Sequence, residues 1–247
     1  MIDYRVYVPS KKDKAVLIVA MIFTTAFISI LFYNSIYILI CTPIVYKVVY
    51  KPFCHYKCKK RQKAFLLMFK DLLHSLGSSF STGRGFYDAL VEAKDSLINI
   101  YGSDSLIVLE INHIIKAMEN SGVSELQLLE DLGKRAGQED VYNFVGLYKA
   151  CIESGGDLIS SVARGAEIIG EKINTENDID VLISQKKIEG RIITAMPIGI
   201  IVFLRTTSPG YLDIMYGTFG GRLLMTLALI GMGVSYWMVE RITAIEV

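Results

Sequence analysis

Several signatures of enzymes and secreted domains are missing from this chain of 247 residues. Its four cysteines, Cys41, Cys54, Cys58 and Cys151, lack the density and spacing of a disulfide framework, so a reducing compartment is the simpler assumption. The three histidines, His55, His74 and His113, lie far apart and have neither an H-E-x-x-H pattern nor any other paired-ligand spacing. A surface or core role is the simpler account of each. Cys54, His55 and Cys58 can share a helix face and offer a soft metal three ligands, but the fourth is unassigned, and juxtamembrane thiols are the plainer reading. No G-x-x-x-x-G-K-[ST] loop exists. Thr82-Gly83-Arg84-Gly85 lacks the spacing and the lysine that cradle phosphate, so any ATP hydrolysis must come from another protein. No G-x-S-x-G nucleophile elbow is present either. Charge of one sign is also lacking: 26 Lys and Arg against 25 Asp and Glu leave +1, without the basic excess of a dedicated nucleic-acid binder. These absences point to a non-enzyme with no catalytic residue, cofactor or metal set.

What the chain has is apolar length. Hydrophobic residues make up 52% and mean hydropathy is +0.40, while 21% of residues are charged. Such a chain must keep its charged and apolar residues in separate segments, as an all-α membrane protein does. Ala15 to Tyr46 carries no charge and as one helix would reach about 48 Å, well beyond a hydrocarbon core of roughly 30 Å. A break at Asn34-Ser35 divides it into spans at Ala15 to Phe32 and Ile36 to Val49. Lys11, Lys12 and Lys14 precede this block, and Lys47, Lys51, Lys57, Lys59, Lys60, Arg61 and Lys63 follow it. With both flanks basic, a hairpin satisfies the positive-inside rule where a single tilted span, the alternative, does not.

The polar middle shows helical rather than alternating periodicity. Helix one is expected from Lys59 to Ser79, with Phe65, Leu66, Phe69, Leu72, Leu73, Leu76 and Phe80 on one face. Phe86, Ala89, Leu90 and Ala93 share a face of the second, and a third runs from about Asp104 to Met118. Ser124-Glu125-Leu126-Gln127 is a capping box that opens a fourth helix, to about Arg135. The fifth covers Glu139 to Glu153, and Ser154-Gly155-Gly156-Asp157 joins a C-cap to a new N-cap. Gly83, Gly122, Gly155 and Gly156 are thus structural turns. Their recurrence before short amphipathic helices is either a structural repeat or generic helical-hairpin grammar. From Leu158 the chain reads as helix to Arg191 and beyond.

Two further apolar stretches, Ile192 to Leu204 and Leu223 to Val239, complete four spans. Pro197 is expected to kink the first, and Arg191 and Arg205 to snorkel from its ends. Ser208-Pro209-Gly210 turns the chain between them, among Tyr211, Tyr216 and Phe219. The expected organisation is a cytoplasmic N-terminal segment (1–14), a transmembrane hairpin (15–50), a cytoplasmic helical bundle (51–190), a second hairpin (191–240) and a cytoplasmic tail (241–247). The spans hold no ionisable residue at their centres, which disfavours a pump or transporter.

Two charged features bear on partners. Lys47 to Lys63 contains no acidic residue and abuts a span, so membrane lipid headgroups are its default partner rather than nucleic acid. Asp131, Lys134, Arg135, Glu139 and Asp140, with Glu130, surround Ala136-Gly137. They read either as a solvated face or as a docking surface for a soluble partner.

Against this background the chain resembles the type II secretion F-domain family, the inner-membrane platform proteins of type II secretion, type IV pilus and Tad pilus machines. The resemblance lies in Phe69-Lys70-Asp71-Leu72-Leu73 through Ser81-Thr82-Gly83, in Phe86 to Ala93, in Glu153-Ser154-Gly155-Gly156-Asp157-Leu158, and in Glu189-Gly190-Arg191 with Met196-Pro197. It covers roughly residues 63–247. Each motif is weak by itself; their order, spacing and placement beside apolar segments carry the likeness. One such domain fits, which resembles the Tad-type subgroup. Ser208-Pro209-Gly210-Tyr211-Leu212, Thr218-Phe219-Gly220-Gly221 and Ile245-Glu246-Val247 look more like its B-type than its C-type platform protein. The resemblance implies a platform that couples a hexameric secretion ATPase, docked against the helical bundle, to pilin subunits leaving the bilayer; the charged set Asp131, Lys134, Arg135, Glu139 and Asp140 is the candidate docking surface for it. It further implies pairing with a paralogous platform protein or a second copy. A membrane-tethered helical adaptor or receptor unrelated to secretion shares the same topology and is the alternative.

Overall fold

A computed structural model describes residues 3–35 and 42–242, and among them every regular element is helical. The helices are α1 (Lys11–Tyr33), α2 (Thr42–Ser81), α3 (Phe86–Tyr101), α4 (Leu106–Ser121), α5 (Glu125–Ala136), α6 (Glu139–Ser154), α7 (Leu158–Thr207), α8 (Asp213–Gly217) and α9 (Phe219–Ile242). A 3-10 turn at Pro209–Tyr211 precedes α8. The chain divides into two compact units: Met1–Val8 with Phe53–Thr175, and Pro9–Pro52 with Glu176–Val247. Residues 176–190, expected in the bundle, therefore group with the second unit, and residues 3–8, expected as a plain leading segment, group with the bundle.

The first unit is built on the periodicity of its sequence. The apolar face expected of helix one is buried from Phe65 to Phe80, and it meets Ala89, Leu90 and Ala93 of α3, Ile107 and Ile111 of α4, Leu132 of α5, Phe144 of α6 and Val162 and Ala166 of α7 in one core. Neighbouring helices α3 and α4, α4 and α5, and α5 and α6 pack in succession, as short connections between helices favour. The aromatic side chains lie close, with the Phe69 and Phe144 rings edge to face at 5.5 Å. Of the expected capping box at α5, the Ser124 half is present, and the N-cap of α7 forms. Ser124 accepts the N–H of Gln127 at 3.4 Å, and Asp157 Oδ1 accepts those of Ile159 at 3.0 Å and Ser160 at 3.3 Å. Among the turn glycines, Gly83, Gly122 and Gly155 have positive φ. Gly156 does not; its N–H donates instead to Cys151 O at 2.9 Å.

One expected boundary is absent. Helix one was to begin near Lys59, yet α2 starts at Thr42 and continues through Pro52. An internal proline removes one backbone hydrogen bond and disfavours helix by about 3 kcal/mol. Side-chain pairs at four-residue spacing bracket that position. The Tyr46 and Tyr50 rings lie 5.5 Å apart on one side, and Lys57 Nζ lies 5.8 Å from the Phe53 ring centre on the other.

In the second unit, α1 ends at Tyr33 and Asn34 takes the left-handed conformation with φ 46, so the expected break at Asn34-Ser35 is present. Ile36 to Cys41, the start of the expected second span, lie outside the described residues, as do Ile245 to Val247. Among the described residues two helices, α1 and α9, are long and apolar enough to cross a membrane by length and composition, rather than four. The third expected span is the apolar end of α7. Ile192 to Leu204 reach only about 20 Å as helix, short of a bilayer core. The helix α7 continues through Pro197 to Thr207. Within the unit α1 packs on α9, and Tyr33 Oη and Thr226 Oγ1 lie 2.8 Å apart. Arg205 donates to Ile30 O at 2.6 Å and to Asn34 Oδ1 at 2.8 Å, which satisfies one of the free carbonyls in the last turn of α1. Arg191 pairs with Glu240 at 2.8 Å. Next to it, a Cβ on Gly190 would stand 2.7 Å from Val239 Cγ1, so a side chain there would part α7 from α9.

Candidate docking site at the α5–α6 corner

The five charged residues singled out around Ala136-Gly137 sit at the corner where α5 hands over to α6. Gly133 of α5 lies against α6 there: a Cβ on it would meet Val145 Cγ2 at 3.4 Å, at the edge of ordinary contact. Lys149 on α6 pairs with Glu130 on α5 at 3.0 Å, and Tyr148 Oη donates to Glu125 at 3.1 Å. The hydrogen bond and charge of Lys149 hold Glu130 below the usual carboxylate range. Burial, then the negative charge and hydrogen bond of Glu125, push the Tyr148 phenol up.

Arg135 turns inward. Its guanidinium grips both oxygens of Glu110 on α4, at 2.9 and 2.8 Å, while Nε donates to Asp131 at 2.7 Å. The Glu110 side chain is 5% exposed and that of Arg135 15%. Burial opposes the charge on Arg135, but its hydrogen bonds with Glu110 and Asp131 outweigh that and raise its pKa above the ordinary arginine value. The Tyr4 hydroxyl donates to Glu110 Oε1 at 3.1 Å, and burial followed by the Glu110 charge drives that phenol up. Asp140 likewise turns inward and meets Lys172 of α7 at 2.8 Å.

An N-terminal strap closes the same corner. The Tyr4 N–H donates to Arg135 O at 3.1 Å. From α2, Arg61 donates to Asp3 O and Val6 O, both at 2.8 Å; Gln62 donates to Tyr4 O at 3.1 Å and Gly137 O at 3.3 Å; Cys58 Sγ donates to Tyr4 O and Arg5 O at 3.3 Å. The Tyr4 ring lies 4.5 Å from that of Phe65. Gly137, with φ 66, passes so close beneath that a Cβ would stand 2.7 Å from Gln62 Nε2 and 2.9 Å from Arg5 Cγ.

The exposed members of the predicted set are Lys134 and Glu139. Glu139 lines an open cleft of about 410 Å³ together with Arg5, Gly133, Gly137, Gln138 and Tyr142. The predicted cluster therefore separates into an inward pair, Arg135 and Asp140, a bridging Asp131 and an outward pair. Sequence reasoning missed Tyr4, Arg5, Cys58, Arg61, Gln62 and Glu110. One signal was available for Glu110: it lies three residues after Ile107 and four before Ile114, a carboxylate on an apolar face, which demands a partner. The thiol of Cys58 is committed to strap carbonyls, and no group of three or more candidate metal ligands forms among the described residues. Cys41 lies outside them. No family model, curated protein or solved structure matches this chain.

Proposed function

We propose that this protein is a non-enzymatic inner-membrane platform of a Tad or type IV pilus-like, or type II secretion, machine. In that role it couples a cytoplasmic secretion ATPase hexamer to pilin assembly or export. The observation that carries the reading is the 50-residue α7, one helix from Leu158 in the water-compatible unit to Thr207 in the apolar one. Converting a displacement at a soluble motor into one within a bilayer needs an element that does not end between the two, and α7 has no proline before Pro197. The bundle offers a charged corner at Lys134 and Glu139, and the apolar helices carry large exposed side chains suited to lipid. In this reading the chain is multi-pass, with four spans, the short third one completed by Arg191 and Arg205 reaching the interfaces from its ends, both termini in the cytoplasm, pilin subunits at the membrane helices, and a paralogous platform protein or second copy completing the assembly.

The test is co-purification of the full chain with a hexameric secretion ATPase from the same cell. Charge reversal at Lys134→Glu with Glu139→Lys is expected to abolish it while the bundle stays folded. Retention of the ATPase by that variant removes the corner from the interface, and no association for wild type removes the platform reading. Arg135 is unsuitable for reversal, because it holds Glu110.

A further inference from the structure

Residues 3–8 form no helix, yet the bundle holds them through their main chain. The carbonyls of four successive residues, Asp3, Tyr4, Arg5 and Val6, all accept hydrogen bonds from side chains of α2, namely Arg61, Gln62 and Cys58. From the other side, Arg135 O of α5 accepts the N–H of Tyr4. Among these six residues one side chain is wholly buried, that of Tyr4. Val6 is 62% exposed and Val8 79%, and Asp3 and Arg5 are exposed as well. The helices of the bundle, by contrast, each bury a periodic face. A segment gripped by its backbone and a single aromatic anchor is bound in the manner of an extended peptide.

The pocket around that anchor suits a phenol. The Phe65 ring lies 4.5 Å from that of Tyr4, and the guanidinium carbon of Arg61 stands 5.4 Å from its centre. At the far end Glu110 Oε1, already held by Arg135, accepts the hydroxyl at 3.1 Å. A phenylalanine fills the same space without that hydrogen bond, and a smaller side chain leaves Phe65 uncovered. Asp3 Oδ1 accepts the N–H of Arg5 at 2.9 Å, a local turn that shapes the segment about Tyr4. We propose that the groove between α2, α4 and α5 is a binding site for an extended peptide with one tyrosine anchor, occupied by residues 3–8 as an exchangeable ligand in cis. Only Pro9 and Ser10 separate the strap from α1, so occupancy of the groove fixes or frees the stretch of chain that leads into that helix.

The inference stands on the first unit alone and does not depend on the secretion reading. Its test is the binding of a fluorescent peptide of residues 1–10 to the full chain in detergent, followed by anisotropy. Tyr4→Ala in the chain removes the anchor and vacates the groove. That variant is expected to bind the peptide saturably and about tenfold or more tightly than wild type, whose own strap competes at high effective concentration. A peptide carrying Tyr4→Phe should bind about tenfold more weakly, through loss of the hydrogen bond to the Glu110 carboxylate. One carrying Tyr4→Ala should not bind, and one carrying Val6→Ala should bind as the parent does. Should the Tyr4→Ala chain fail to fold, a chain with a protease site inserted between Val8 and Pro9 takes its place. After cleavage the labelled peptide is expected to displace the strap while the helical circular-dichroism signal is retained. No saturable binding to the folded Tyr4→Ala chain, equal binding to wild type, or equal binding of the Tyr4→Ala peptide overturns the proposal. So does a cleaved chain that takes up no peptide or loses its helical signal, which would make residues 3–8 part of the core.

Discussion

The two units use the same apolar residue types and dispose of them in opposite ways. In the first, Phe65, Leu73, Ala93, Ile107 and Leu132 are wholly buried against one another. In the second, Ile193 is 68% exposed, Leu224 58% and Phe219 84%. Each exposed side chain of that size forgoes roughly 1.5–3 kcal/mol of burial in water. The second unit also has a core, a small one of Leu31, Phe32, Leu212 and Met225, and leaves most of its apolar helix surface outside it. Under the membrane reading, the contrast separates a domain whose stability is internal from one whose apolar surface is matched by lipid.

Substitutions sharpen that contrast. The largest effect is expected at Arg135→Met, which leaves Glu110 buried without its cation and should destabilise the bundle by about 3–5 kcal/mol in denaturant unfolding of the full chain in detergent. Next comes Leu73→Ala, at about 2–5 kcal/mol for a wholly buried leucine. The same change at Leu224, half-exposed on α9, should move that unfolding midpoint by less than about 0.5 kcal/mol. Equal losses at both leucines would dissolve the comparison. Ser124→Ala, which removes the N-cap of α5, should fall between the two leucines, at about 1 kcal/mol.

A pH series reaches the bundle without mutation. Burial and then the hydrogen bond and charge of Asp71 push the Tyr101 phenol up to about 12, from an ordinary value near 10. Its pKa is raised on folding, so the folded state holds the proton longer. The contribution is complete below pH ~10 and is lost as pH rises through 12. Unfolding followed between those limits should show the decline, and Tyr101→Phe should make it shallower. Tyr4 and Tyr148, raised in the same direction, steepen the same limb.

Most of the bundle was legible in its sequence because helical periodicity is a local signal. Helices α3 to α6 follow from apolar positions and caps within a few residues of one another, as do the breaks at Asn34, Gly83 and Gly155. What was not legible depends on distant partners. Glu110 and Arg135 are far apart in sequence, and their pairing requires α4 and α5 to be packed first. The strap has no periodicity and is held by α2 side chains more than fifty residues away. The start of α2 was not legible either: a helix was expected only from Lys59, and the observed one runs from Thr42 through Pro52. The charged cluster at the corner was found as a group, while its division into inward and outward members required tertiary structure.

The central claim is that the apolar unit lies in a bilayer and the bundle in the cytoplasm. Labelling of single cysteines placed in a cysteine-free chain, at Asp104→Cys in the α3–α4 turn and Asp213→Cys at the start of α8, tests it most directly. With a membrane-impermeant maleimide on intact spheroplasts, the account predicts modification at position 213 alone, and modification at 104 only after permeabilisation. Labelling of both sites in intact spheroplasts, or of both only after permeabilisation, would contradict it.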